Sequence, residues 1–265
     1  MPAKKALALD LQLLLDRQTM RRICVIGDSH VAALKLGWEA LRAELPGLEL
    51  DFYAAPKPHM GGFAVEDGKL VATTATLRKF LEHTAQGRFS IDGSYALYLV
   101  CGIGAGIETV VPAVKTLLAG AFKTGGEDLD DQLRRAFARI LRDAEASVFL
   151  EKVRMITEAP IAFIAKPFAS AGALARMLKA AGEDRRVVDL YEQAFERVLR
   201  KRSRAHFLSQ PVETLGDSPL ATAEQFFRQP ARIAVQDAQG DGHHANGEYG
   251  AIVLRSALSR MAVLG

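Results

Sequence analysis

The stretch ICVIGDSHVAALKLGWEALRAEL, residues 23–45, joins a short apolar run directly to a segment with helical periodicity. Its first four residues form an unbroken apolar run, which is typical of a strand buried on both faces in a parallel sheet. From Val31 onward, apolar residues recur every three or four positions, the pattern of one helix face. Ser29 therefore lies at a sharp strand-to-helix turn, near unpaired amides that favour negative charge. Two interpretations follow: Ser29 is a nucleophile, or Asp28 or Ser29 caps the helix.

A second segment, DGHHANGEYGAIVLRSAL (residues 241–258), offers partners for a nucleophilic serine. Asp241 and His244 are three positions apart in a polar, glycine-containing loop that precedes a predicted helix. A serine nucleophile needs a base, and the base needs a carboxylate that orients it. The adjacent His243 and His244 also allow a metal site or a plain loop. A metal site needs more ligands, but the other histidines are scattered and both cysteines lie inside apolar runs; these residues are His30, His59, His83, His206, Cys24 and Cys101.

Together, GDSH at residues 27–30 and DGHHAN at residues 241–246 resemble the first and last blocks of the SGNH, or GDSL-type, hydrolase superfamily. In that family the serine of the first block is the nucleophile, and the last block is Asp-x-x-His followed by one residue and Asn. The resemblance implies that Ser29 attacks an ester carbonyl, His244 accepts its proton and Asp241 orients the imidazole. It implies an esterase or O-acyltransferase that needs no metal and no organic cofactor.

The two middle blocks of the family match unevenly. In KPHMGGF (residues 57–63), Gly61 or Gly62 falls where the family places an oxyanion-hole glycine, although a plain glycine turn has the same composition. In GIGAG (residues 102–106), Gly104 replaces the asparagine that donates to the oxyanion. The resemblance thus implies an oxyanion hole built from Ser29, Gly61 or Gly62, and the backbone at Gly104.

The missing asparagine has a measurable consequence. Loss of one oxyanion donor typically costs about a hundred- to a thousandfold in turnover. The sequence leaves open a rebuilt active site, a slow enzyme, or a catalytically inactive binding protein with the same fold.

The glycines of LVCGIGAGIE (residues 99–108) also invite comparison with a dinucleotide-binding loop. Gly102 and Gly104 have the spacing of its first two glycines, but the third required position is Ile107. The segment also follows an interior strand, so this interpretation is weak.

Alternating apolar runs and helical segments predict an α/β fold. We expect a three-layer α/β/α sandwich of the SGNH or flavodoxin-like kind, with a mainly parallel sheet of about five strands and the site at their carboxyl ends. Residues 1–265 are expected to form one domain, with an N-terminal helical extension at 1–20. A helical insertion at 106–150 is expected either to cover the pocket or to pack in the outer layer.

The amino-acid composition indicates which classes of binding partner to expect. The chain has 265 residues, of which 49% are hydrophobic and 25% charged, with a net charge of +3. Its basic residues alternate with acids except in RVLRKRSRAH (residues 197–206), which is typical of a solvated helix end, so we expect no nucleic-acid partner. We expect no membrane partner, since no apolar run is long enough to span a bilayer. The reduced cysteines and the lack of an export signal predict a cytoplasmic protein.

The expected substrate is a small-molecule or carbohydrate ester. The histidine after the serine in GDSH is similar to that of several carbohydrate O-acetyl-transferring members of the family, which favours a sugar ester. Neither the acyl group nor the oligomeric state follows from the sequence.

Overall fold

The computed structural model describes residues 21–121, 129–168, 184–218, 221–227 and 244–264. The predicted N-terminal extension at 1–20 lies outside these residues, as do Asp241 and His243.

The centre of the fold is a five-stranded sheet in which every neighbouring pair is parallel. The spatial order is β2-β1-β6-β7-β8. The strands are β1 (Arg21–Gly27), β2 (Leu48–Ala54), β6 (Leu97–Cys101), β7 (Ile161–Ile164) and β8 (His206–Leu208). The predicted, mainly parallel sheet of about five strands is therefore confirmed.

Helices cover both faces of this sheet. They are α1 (Val31–Leu41), α2 (Lys57–Met60), α3 (Ala75–Thr84), α4 (Val111–Ala121), α5 (Leu129–Arg142), α6 (Glu145–Ile156), α7 (Asp184–Ser203) and α8 (Gly247–Leu264). Alternate residues of β1 enter different cores because successive strand side chains point to opposite faces. Ile23 and Val25 pack with α1 and α8, whereas Cys24 and Ile26 pack with the helices on the other face. The predicted α/β/α sandwich is therefore confirmed.

A small antiparallel sheet was not expected from the sequence. It consists of β3 (Phe63–Glu66), β4 (Lys69–Ala72) and β5 (Ser90–Ile91), in that spatial order. Asp67 and Gly68 connect β3 to β4 with φ values of 47° and 71°. An Asp-Gly pair with both φ values positive is a favoured hairpin turn. The sequence FAVEDGKLVA thus contained a hairpin signal that our sequence analysis missed.

The buried carboxylate of Asp51 connects β2 to β1 and to the chain on both sides of β5. Asp51 lies in β2 and is 4% exposed. Its oxygens accept hydrogen bonds from Arg22 (2.6 Å), Arg88 (2.5 Å) and the Tyr95 hydroxyl (2.9 Å). Burial raises the pKa of Asp51, but these hydrogen bonds outweigh it and hold the pKa below its ordinary value. The carboxylate therefore stays charged and fixes the edge of the sheet that carries α2.

The region expected to be a helical insertion, 106–150, contains a 3-10 turn at Ile107–Thr109, α4, α5 and the first half of α6. The basic stretch 197–206 spans the end of α7. There Arg202 donates to both carboxylate oxygens of Glu151 and Arg200 donates to Glu196, so two of its arginines form ion pairs. Both cysteines are buried free thiols, as expected.

Candidate active site

The structure brings Ser29 and His244 into contact across 215 positions of sequence. Ser29 follows the carboxyl end of β1 and is exposed. His244 precedes α8 by three residues. The Oγ of Ser29 lies 3.0 Å from the Nε2 of His244, which is hydrogen-bond distance. A base at this distance can accept the hydroxyl proton as the oxygen attacks.

The packing of α1 against α8 sets this contact. A Cβ added to Gly37 would lie 2.2 Å from the backbone nitrogen of Ala251, and one added to Gly250 would lie 1.8 Å from the carbonyl oxygen of Ala33. Only glycine allows the two backbones to approach so closely. These glycines therefore hold α1, which follows Ser29, tightly against α8, which follows His244.

Asp28 connects the serine turn to the loop after β6. Its side chain is buried, with Oδ1 accepting from the His30 amide (3.1 Å) and Oδ2 from the Ile103 amide (2.9 Å). Residue 30 is the N-cap position of α1, and its side chain makes no capping hydrogen bond. The capping interpretation therefore does not describe Ser29, whose hydroxyl contacts His244 instead.

The loop after β6 has an unusual backbone. Gly102, Ile103 and Gly104 have φ values of 76°, 47° and 68°. A positive φ is strained for a β-branched residue such as Ile103, and the buried Ile103 side chain together with the Asp28 hydrogen bond holds it there. A Cβ on Gly102 would lie 2.3 Å from the Asp28 carboxylate. The loop therefore lies tightly against the serine turn.

Two amides in this area donate no hydrogen bond within the described part of the chain: those of Ser29 and Gly104. Gly61 and Gly62 follow α2. Gly61 is exposed with φ −60°, and the Gly62 amide donates to the His59 carbonyl at 2.9 Å. The Ser29 and Gly104 amides are thus unpaired within the described residues, whereas the Gly62 amide is already paired.

His30 lies beside the Ser29–His244 pair without joining its hydrogen bond. Its ring centroid is 5.6 Å from that of His244, and its buried Nδ1 has no hydrogen-bond partner in the described residues. Burial lowers the pKa of His30; the Asp28 carboxylate opposes this effect and Lys166 adds to it. The lowered pKa favours the neutral form of the His30 ring.

A cleft of about 440 Å³ opens beside Ser29 and His244, between α1 and α3 and over the end of β2. Most of its wall is apolar, and Lys35, His83 and Thr84 are its other polar residues. The apolar lining residues are Val31, Ala32, Phe52, Ala54, Ala55, Pro56 and Phe80. A mostly apolar cleft with a few polar groups is the usual form of a small-molecule site.

Charged pairs lie around the loop after β6. Lys57 lies 3.9 Å from Glu145, with both side chains beside Gly104, and Lys166 contacts Glu108 beside Gly106. The candidate site therefore combines an apolar cleft with charged pairs around this loop. Among the residues that the structure describes, no cluster of three histidine, cysteine or carboxylate side chains is placed to hold a metal ion. In the same part of the chain, no helix is long and apolar enough to cross a membrane.

No protein-family model matches the chain, and no curated protein matches its sequence. Solved structures that are similar to the chain include a phospholipase, a lipase and a carbohydrate esterase. Phospholipase A1 from Streptomyces albidoflavus is 12% identical with a TM-score of 0.46, covering 90% of this chain and 99% of that one. A lipase from a goat rumen metagenome is 11% identical with a TM-score of 0.43, covering 92% and 98%. A family 2 carbohydrate esterase from Corynascus thermopiles (Myceliophthora fergusii) is 16% identical with a TM-score of 0.42, covering 92% and 67%.

Proposed function

We propose that this chain is a serine-dependent ester hydrolase or O-acyltransferase. The observation that carries the proposal is the 3.0 Å contact between the Ser29 hydroxyl and the Nε2 of His244 at the carboxyl end of the sheet. The exposure of Ser29 and the cleft beside it give an ester access to the hydroxyl. Asp241 completes the proposed triad, three positions before the histidine.

In the proposed reaction, the Oγ of Ser29 forms a bond to the acyl carbon while its proton passes to the Nε2 of His244. The carbonyl oxygen becomes an oxyanion, which the amides of Ser29 and Gly104 stabilise. The bond to the alcohol then breaks, and the alcohol takes the proton from His244. Water or a second alcohol repeats these steps on the acyl-enzyme, which gives hydrolysis or transfer and regenerates the serine.

The apolar cleft and the charged pairs support separate binding sites for the acyl group and the alcohol of the substrate. We place the acyl group in the apolar cleft between α1 and α3, where burial of its hydrocarbon is favourable. We place the alcohol toward the charged pair of Lys166 and Glu108, which suits a polar alcohol such as a sugar. The carbohydrate preference expected from GDSH thus applies to the alcohol.

Steady-state hydrolysis of p-nitrophenyl esters and acetylated sugars tests this function. Ser29→Ala and His244→Gln are expected to lower kcat by at least about a thousandfold, and Asp241→Asn by a smaller factor, because catalytic triad residues act as a unit. Each variant should keep the parent's unfolding midpoint in urea. A folded parent protein without serine-dependent turnover on any of these esters would contradict the proposal.

Gly104 favours a second candidate, a binding protein that keeps the fold and the cleft but has no turnover. Its position lacks the side-chain donor of the family pattern. Calorimetry with the ester panel distinguishes the two candidates: binding without product release supports the binding protein, whereas product release that requires Ser29 supports the enzyme.

A further inference from the structure

We propose that Lys57 is a catalytic residue whose ammonium group replaces the missing side chain at position 104 as an oxyanion donor. This inference rests on the proposed ester chemistry at Ser29. It starts from the space around Gly104. A Cβ added to Gly104 would lie 2.5 Å from the Cε of Lys57 and 2.9 Å from its Nζ. The end of the lysine side chain therefore fills the volume that a side chain at 104 would need.

Backbone hydrogen bonds tie the segments that carry Lys57 and Gly104 to the chain beside Ser29. The Ile103 amide is bound to the Asp28 carboxylate, which fixes Gly104 close to the serine turn. On the other side, the Ala55 amide donates to the Gly27 carbonyl at 3.3 Å. Lys57 follows Ala55 by two residues, so both segments that meet at the Gly104–Lys57 contact are tied to the chain immediately before Ser29.

The ammonium group also has donors to spare. Its nearest counter-charge is the carboxylate of Glu145, at 3.9 Å from Nζ, which is longer than a hydrogen bond. In the described ranges, no acceptor forms a hydrogen bond with Lys57. An ammonium carries three N–H donors, and charge-assisted hydrogen bonds are about twice as strong as neutral ones. In the proposed role, Lys57 acts only on the charge of the oxyanion and transfers no proton.

The position of Lys57 explains why residue 104 is glycine and not asparagine. Asparagine tolerates a positive φ better than most residues, so the backbone at φ 68° does not by itself exclude it. The ends of the Lys57 and Glu145 side chains lie where an asparagine side chain would stand, so asparagine would have to displace the ammonium group. Removal of the lysine side chain should therefore make room for the asparagine.

A double-mutant cycle tests the proposal. We would measure kcat and KM on one p-nitrophenyl ester for the parent, Lys57→Met, Lys57→Ala, Gly104→Asn and the double variant Lys57→Ala/Gly104→Asn. Lys57→Met keeps the bulk and removes the charge, and it should lower kcat by about a hundredfold with little change in KM. Gly104→Asn alone should lower kcat through the clash. The double variant should have a kcat at least tenfold higher than that of Lys57→Ala. Gly104→Asn would then raise kcat in the Lys57→Ala background, although it lowers kcat in the parent.

Two controls make every outcome informative. Lys115→Met removes an exposed lysine from α4 and should leave kcat unchanged. A fluorophosphonate probe that labels Ser29 in every variant shows that the nucleophile is intact. Parent-like kcat in Lys57→Met, or asparagine that lowers kcat equally in both backgrounds, would overturn the role of Lys57. Loss of the proposed function itself would look different, because the parent would then neither label nor turn over ester.

Discussion

Gly37 of α1 and Gly250 of α8 meet backbone to backbone, and this contact holds the two helices that follow Ser29 and His244. A Cβ on Gly37 would lie 2.3 Å from the carbonyl carbon of Gly250. No side chain lies between them that could move aside. The geometry of the Ser29–His244 contact therefore depends on residues that lie outside it.

Gly37→Ala is expected to push the helices apart. We expect a loss of about 1–3 kcal/mol in the free energy of unfolding, since the clash exceeds the roughly 1 kcal/mol that alanine gains in helix propensity. The kcat should fall more than tenfold, because a small misplacement of base and nucleophile is costly. Urea unfolding and steady-state kinetics measure the two effects. Gly216→Ala is the matched control, since its Cβ would meet only ordinary contacts at 3.4 Å or more; equal effects of the two substitutions would contradict this account.

A bulky side chain in the apolar cleft should slow the hydrolysis of long-chain esters more than that of short-chain esters. Ala32 lies on its wall, and Ala32→Phe should lower kcat/KM for octanoyl esters by at least tenfold while acetyl esters are hydrolysed nearly as before. Ala40→Phe places the same ring on an exposed position of the same helix and should change neither. If Ala32→Phe slowed both esters equally, the acyl group would not lie in this cleft.

His30 predicts a loss of stability in acid. Its pKa is lowered in the folded protein, so the unfolded chain takes up a proton first as pH falls below about 6.5. Stability should therefore fall below that pH, with a slope of up to about 1.4 kcal/mol per pH unit from this group, and be unaffected above it. His30→Asn should flatten this dependence between pH 7 and 5 in urea unfolding experiments. An unchanged pH dependence in His30→Asn would show that other groups cause the acid loss.

The sequence predicted the central sheet well because its strands are short apolar runs buried on both faces. The apolar run Ile23–Ile26 has the length of a buried strand and is too short for a helix. The helix after Ser29 follows from the 3.6-residue period of its apolar residues. The small antiparallel sheet was missed because its strands are only two to four residues long and half-exposed. Its Asp67-Gly68 turn was the one usable signal.

The site was predictable only in part. Ser29 and His244 could be paired in advance because each lies in a recognisable block, and the structure brings them to 3.0 Å. The contact of Lys57 with Gly104 had no such signal, since it joins two loops 47 positions apart through the end of a long, exposed side chain. The link from Asp28 to the Ile103 amide is equally hidden, because one partner is a backbone group. Asp241 and the predicted oxyanion roles of Gly61 and Gly62 stay predictions.

The most direct test of the central claim is covalent labelling of the folded protein with a fluorophosphonate probe, followed by identification of the modified residue by mass spectrometry. An activated serine attacks the phosphorus and expels fluoride, so the label reports both the nucleophile and its base. We predict stoichiometric labelling at Ser29, abolished in Ser29→Ala and slowed by at least about a hundredfold in His244→Gln. Absence of label at Ser29, or labelling at the same rate without the His244 imidazole, would contradict the account.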